Sequence, residues 1–316
     1  MKKYIARRLL LAIPTLVGVS LLIFFIMAVI PGDVALAILG EGATQEGLAT
    51  LREQMGLTDP WYERYGRWVK DMATFGDLGE SIFMVGVPIN KLIAEHFPVT
   101  LNLAIYTTII AVVAAVPLGT ISAIRHDTWV DYVMRVFSIV GLSVPVFWLG
   151  MMILLAMVRW FGWTPAVQWV SPFDDFPGNF KQMIWPSLAL GYFQVAFIAR
   201  MTRSSLLDVL YEDYMRTARA KGLRETAIIV RHGLRNAVIP IVTIGGLQFV
   251  ALLGGVVVTE RVFNLPGWGT LLVRGVFTRD YPLIQTMIFM FACIVIVANL
   301  MTDTLYAWLD PRIRYQ

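Results

Sequence analysis

Apolar and polar stretches alternate along this chain in a regular order. Uncharged apolar runs occupy residues 9–30, 100–124, 136–158, 183–199, 237–259 and 282–302. A helix needs about 20 such residues to cross a hydrocarbon core, and the runs fit that length, the fourth being the shortest. Six membrane-spanning helices are therefore expected. Lys2, Lys3, Arg7 and Arg8 stand before the first run, as in a signal peptide. That run is longer than the apolar core of about 7–15 residues in a cleaved signal, so it reads as a retained span. In the second run Ala111, Ala115, Gly119 and Ala123 recur every fourth residue, which predicts a small-residue ridge for close helix packing. Pro117, Pro145, Pro186 and Pro240 are candidate bend points.

The polar stretches differ in character. Residues 31–99 form an insert in which Trp61, Tyr62, Tyr65 and Trp68 suggest an amphipathic helix starting after Pro60. It reads either as a small folded lobe or interfacial helix, or as a docking surface for a partner. Trp160, Trp163 and Trp169 in the stretch 159–182 sit as interface anchors would. A further outer loop is expected over 260–281. The most basic segment, 212–240, lies between the fourth and fifth runs. A helix is predicted from Ser205, a possible cap with Asp208 three residues on, with Leu206, Leu210 and Tyr214 along one face. Gly222 should end it, because glycine turns sharply without steric cost. A second short amphipathic piece follows, with Ile228, Ile229 and Leu234 among Arg224, Arg231, His232 and Arg235.

Composition agrees with a membrane protein: 57% of the 316 residues are hydrophobic and 15% charged, against about 45–50% hydrophobic in soluble domains. The net charge of +4 is unevenly placed. If both termini are cytosolic, 16 of the 26 Lys and Arg fall in the inner segments and 14 of the 22 acids in the outer ones. The positive-inside rule selects that orientation, and the basic segment then faces the cytosol. The basic segment has three readings: retention charge, an anionic-lipid or nucleic-acid patch, or a coupling element for a cytosolic protein. The glycine break between two apolar-faced pieces favours the third, and no nucleic-acid partner is expected.

Reactive chemistry is missing from the pattern. There is no G-x-x-x-x-G-K-[ST] phosphate loop and no H-E-x-x-H pair. His96, His126 and His232 lie in separate segments, and the single Cys293 lies in an apolar run. Gly141-Leu142-Ser143-Val144-Pro145 lacks the last glycine of a nucleophile elbow, so Ser143 reads as a span residue. Asp303 is the one ionisable group close to a span; Gln194, Gln248 and Asn299 read as interhelical hydrogen-bonding groups. The 15 methionines read as span and core filler.

The stretch Glu212-Asp213-Tyr214-Met215-Arg216-Thr217-Ala218-Arg219-Ala220-Lys221-Gly222-Leu223 resembles the cytoplasmic signature loop of ABC importer permeases, specifically the dipeptide/oligopeptide/nickel permease family. The match continues in Arg231-His232-Gly233-Leu234-Arg235-Asn236-Ala237, in Ala6-Arg7-Arg8-Leu9 through Ile30-Pro31-Gly32-Asp33, and in Gly76-Asp77-Leu78-Gly79-Glu80-Ser81. It extends to Val262-Phe263-Asn264-Leu265-Pro266-Gly267-Trp268-Gly269, Arg279-Asp280-Tyr281-Pro282 and Asp310-Pro311-Arg312. Aligned on Gly222, Arg216-Thr217-Ala218 replace the E-A-A of the broad importer signature, and His232 and Arg235 replace its later Ile and Pro. That variation is similar to the B-type subunit of peptide permeases.

The resemblance implies an all-α integral membrane fold of six transmembrane helices with type I ABC importer permease architecture. The expected domains are 1–99, a first helix plus extracytoplasmic insert, and 100–316, a permease core whose coupling loop spans 200–236. The implied location is a bacterial or archaeal plasma (inner) membrane, multi-pass, with both termini cytoplasmic. The implied partners are a second homologous permease subunit, two cytosolic ABC ATPases, an extracytoplasmic substrate-binding protein and the lipid bilayer. No cofactor belongs to this chain, since ATP and Mg are bound by the ATPases. ATPase coupling falls to Glu212, Tyr214, Arg216, Thr217, Ala218, Arg219, Ala220, Lys221, Gly222 and Leu223, with the helix's apolar face making the docking contact. Peptides are the implied cargo; nickel, glutathione, opines and sugars are carried by relatives. The rival readings are a stand-alone secondary carrier and an intramembrane hydrolase.

Overall fold

A computed structural model describes residues 2–29, 34–40, 42–54, 56–74, 78–84 and 86–309. The sequence motifs at 30–33, 76–77 and 310–314 lie outside the described residues. The described chain is helical: α1 (Lys2–Val29), α2 (Val34–Leu39), α3 (Gln45–Gln54), α4 (Trp61–Thr74), α5 (Ile89–Ile124), α6 (Trp129–Ser143), α7 (Val146–Phe161), α8 (Phe176–Leu210) and α9 (Asp213–Ala220). Then come α10 (Glu225–Ala227), a π-helical stretch (Ile228–Leu234), α11 (Arg235–Gly255), α12 (Val257–Val262), α13 (Trp268–Thr278) and α14 (Tyr281–Leu309). Among the described residues five helices are long and apolar enough to cross a membrane: Arg7–Val29, Ile89–Ile124, Phe176–Leu210, Glu225–Gly254 and Tyr281–Thr304.

The expected third span is a broken pair. α6 and α7 meet at 102°, and counting them as one span gives six. The break falls at a local signal. Val144 precedes Pro145, and the proline ring disfavours the helical region for the residue before it. Val144 is accordingly extended at φ −78°, ψ 126°, and Pro145 caps α7 at φ −62°, ψ 130°. The other three candidate bend prolines lie inside helices that continue past them. There the missing N–H removes one hydrogen bond without ending the helix.

The described residues form two compact units, Val99–Pro266 with the stretch from Ala298 onward, and Lys2–Pro98 with Gly267–Val297. In the first unit the small-residue ridge of α5 meets α8. Ala111 and Ala115 are fully buried with Val195, Ile198 and Ala199. A Cβ added at Gly119 would stand 2.5 Å from the Ala199 carbonyl oxygen, so only glycine admits this approach. α8 starts where Asp175 accepts the Gly178 N–H at 3.0 Å, with a proline in the first turn. It then runs unbroken for 35 residues. Ser205 is therefore an interior residue of α8 and caps nothing, contrary to the sequence expectation. Near the start of α8, Asn179 donates to Asn102 Oδ1 (3.0 Å) and to the Val170 carbonyl (2.7 Å), while Gln182 grips Gln168 and Val170. These amides fasten the preceding loop.

In the second unit the aromatic side of α4 packs on α1. Tyr65 lies 5.5 Å from Phe24, and its hydroxyl meets Ser20 Oγ at 2.8 Å. Trp61 and Tyr62 remain exposed. From Gly267 on, the expected outer loop over 260–281 is largely helical, as α13, where Trp268 supplies a buried anchor. Its indole N–H donates to the Ile93 carbonyl (3.2 Å), and its ring sits 4.9 Å from both Phe97 and Phe291. Asp280 is buried before α14, where it accepts from Ser81 Oγ, the Phe83 N–H (3.3 Å) and the Leu283 N–H (3.3 Å). Two motifs nearly 200 positions apart in sequence, ending at Ser81 and containing Asp280, are thus one hydrogen-bonded corner.

Candidate functional site

The basic segment folds as a helix, a tight turn and a second helix. α8 ends at Leu210, and α9 starts after Glu212, a separate helix rather than a continuation of one begun at Ser205. α9 closes on Lys221. The Gly222 N–H then donates to the Arg219 carbonyl (2.9 Å) and the Leu223 N–H to the Ala218 carbonyl (3.4 Å). That paired reversal requires a left-handed residue at its centre, and Gly222 has φ +72°. The predicted glycine break is there for the predicted reason.

The faces of α9 are assigned differently from the expectation. Met215 and Ala218 point inward, buried with Ile228 against Val209 and Leu210. The apolar face is thus buried inside the chain, not exposed. Of the ten expected coupling residues, Ala218 is buried and the other nine are exposed. Leu206 is buried in the α5–α8 core, while Tyr214, expected on the same face, is 41% exposed. Its hydroxyl accepts from Asn236 Nδ2 at 2.7 Å, which ties α9 to α11.

Arg219 reaches Glu225 across the turn at 2.9 Å, and this carboxylate raises the guanidinium's pKa above its ordinary value. Arg216 lies 3.4 Å from Asp213. Lys221 and Leu223 stand exposed at the turn. The second piece is not a short separate helix. α10, the π-helical stretch and α11 follow without a break, so it is the start of the fifth span. Within it Gly233 passes α8 closely: an added Cβ would stand 3.0 Å from Leu206 Cδ1 and 3.6 Å from Met215 Cε.

Behind this segment is a charged centre that the apolar and polar pattern does not reveal. Asp131, in the first turn of α6, is fully buried. Arg203 of α8 holds it with two hydrogen bonds, Nε to Oδ1 at 2.7 Å and Nη2 to Oδ2 at 2.9 Å. Ser122 of α5 donates at 2.6 Å and the Asp127 N–H at 3.1 Å. Arg135 completes the set, and it also reaches Asp127 at 3.1 Å. A buried carboxylate with this many donors is held in its charged form, and it fastens three helices. The i, i+4 spacing of Asp131 and Arg135 is the one local signal of this centre; Arg203, 72 residues away, leaves none.

Comparison with known proteins decides the family. Residues 115–315 match the family "binding-protein-dependent transport system inner membrane component", and residues 1–104 match its N-terminal membrane component. The chain belongs to this family. It is the multi-pass inner-membrane permease of an ABC importer and not an enzyme; its ATPase and its binding protein are separate partners. The permease is 40% identical over 335 residues to the dipeptide transport system permease protein of Alkalihalophilus pseudofirmus, with all of both chains covered. It is 40% identical over 317 residues to the oligopeptide transport system permease protein of Bacillus subtilis, again over all of both chains. To the glutathione transport system permease protein of Escherichia coli it is 43% identical over 316 residues, with the same full coverage. Among solved structures the permease resembles the MetNI methionine ABC transporter in an inward-facing conformation. The TM-score is 0.56 at 16% identity, covering 70% of the permease and 97% of the solved chain. That likeness supports the importer permease fold.

Proposed function

We propose that the permease carries short peptides and is driven through the turn at Gly222. The cargo class follows the relatives, whose names specify dipeptides, oligopeptides and glutathione at 40–43% identity over the full chain. A second, homologous permease subunit completes the pore, and two ATPases serve the pair. The charge distribution favours cytosolic termini and a cytosolic α9.

One observation carries the coupling role. α9 is anchored through its buried side, with Met215 and Ala218 under it, and presents Arg216, Thr217, Arg219, Ala220, Lys221 and Leu223 outward. A helix so held moves with the ends of α8 and α11 that hold it. Closure of an ATPase pair would pull these turns together and shift the helices as rigid bodies between two packed states. The polar side, not the apolar one, then meets the ATPase.

A single-cysteine experiment tests this. Cys293 is the one native cysteine, so Lys221→Cys in a Cys293→Ala background gives one exposed thiol. In inverted vesicles it should react with an impermeant maleimide, crosslink to the ATPase and become protected on assembly. Reconstituted in the opposite orientation, with ATP enclosed and binding protein outside, the complex should take up dipeptides. Labelling only from the outer side, or no protection by the ATPase, would overturn the proposed role.

A further inference from the structure

A groove of about 390 Å³ lies beside the Asp131 centre, between α5, α6 and α8. Leu118, Phe137, Ile139 and Leu142 supply much of its apolar wall, and Arg135, Arg200 and Arg203 its basic end. The charges there do not balance. Asp131 is fully buried beneath Arg135 and Arg203, whose side chains stay 38% and 20% exposed. Arg135 also takes Asp127. Among the described residues Arg200 forms no ion pair; its guanidinium stands over the Phe197 ring at 5.5 Å. Three guanidiniums therefore face two carboxylates, and the more deeply placed carboxylate is sealed off from the groove.

The groove's depth in the membrane is marked by its neighbours. Trp129 and Tyr132, exposed at the start of α6, are the residues that settle at the headgroup level. Val133, Val136 and Ile139 follow them as an exposed apolar strip. Ser122 stands two residues before the end of α5. An arginine at a span end commonly reaches into water, and its side chain alone would define no site. Here the unpaired cation borders a formed groove with apolar walls that a water-soluble anion would not need.

We infer that this groove holds an anionic phospholipid, with its phosphate at Arg200 and the outer edges of Arg135 and Arg203, and its acyl chains along Leu118, Ile139 and Leu142. Basic pockets between transmembrane helices recognise anionic headgroups by such complementarity. The lipid would occupy the space between α6 and α8 that the Asp131–Arg203 pair bridges, so it supports the same junction from outside. This occupancy is separate from the coupling role of α9 and fails or stands independently of it.

The test uses the assembled transporter in mixed phosphatidylglycerol and phosphatidylcholine, with retained lipid measured by native mass spectrometry. Phosphatidylglycerol should be retained selectively. Arg200→Gln should lower that retention by about fivefold, the effect of one surface cation on anionic-lipid binding. Arg200→Lys should keep most of it. Excess inorganic phosphate should not displace the lipid. Equal retention of both lipids by the wild-type complex, which needs no variant, would overturn the proposal. So would unchanged retention in Arg200→Gln, or displacement by inorganic phosphate, which would assign the groove to a soluble anion.

Discussion

Gly222 is constrained by backbone geometry rather than by crowding. Nothing lies within 4 Å of a Cβ built there, yet its φ is +72°. A β-branched residue in that region costs about 1–2 kcal/mol, concentrated in the turn itself. Gly222→Val should leave the permease inserted and assembled while distorting the reversal that positions Lys221 and Leu223. ATP-driven uptake should be abolished with expression largely retained; normal uptake in a reconstituted system would contradict the coupling role. Gly222→Ala should fall between the two. The residue itself was legible in the sequence, since a glycine between two amphipathic pieces marks a reversal of the chain. Which side of α9 faces out was not legible. Met215 and Ala218 are buried by Val209, Leu210 and Ile228, and that contact depends on how the chain folds back on itself.

Among the elements, the α5–α8 contact follows most directly from residue order. Alanines and a glycine four apart present a smooth face, and α8 meets it with Val195, Ile198 and Ala199. Gly119 is the tightest point, because its obstacle is the Ala199 carbonyl at 2.5 Å together with Thr202 Cβ at 2.6 Å. Gly119→Leu would force the helices apart, since overpacking costs about 1–3 kcal/mol even where side chains can yield. The melting temperature of the purified complex should fall, and Gly119→Ala should fall less; an unchanged melting curve would show that the contact can widen freely. The spans as elements were predictable from apolar run length, but their ends were not. α5 begins at Ile89 and α8 runs from Phe176 to Leu210, well past the apolar runs; in α8 the polar residues Asn179 and Arg203 find partners beyond the run at either end. The pattern marks Pro145 only as one of four bends. Proline alone does not say whether a helix ends, and the extended Val144 is a tertiary outcome.

At the scale of the molecule, α8 connects chemistry placed far apart. Its 35 residues span roughly 50 Å at about 1.5 Å per residue, more than a hydrocarbon core of about 30 Å. Asn179 and Gln182 fix one end to the preceding loop, Gln194 reaches the Gln248 carbonyl at 3.3 Å, and Arg203 binds Asp131. α9 hangs from the other end. Asp131→Asn would leave two arginines without their shared carboxylate, and breaking a buried pair costs about 3–5 kcal/mol. The assembled complex should melt earlier and transport less for each ATP hydrolysed. Asp131→Asn combined with Arg203→Gln should recover thermal stability more than transport, because neutrality returns and the rigid connection does not. Equal recovery of both would reduce Asp131 to a purely structural role. None of this centre was visible from the spans alone, since its partners come from three helices.

The π-helical stretch at Ile228–Leu234 sets a rotational phase between the turn and the fifth span. A π turn holds one more residue than an α turn, so everything before it is indexed about 100° away from where a plain α-helix would put it. Ile228 reaches its buried niche, and Gly233 slides past Leu206, only in that phase. The bearing of the bend at Gly222 is thus dialled by the count of seven residues, and losing a single one would aim the same side chains at a different quarter of the compass.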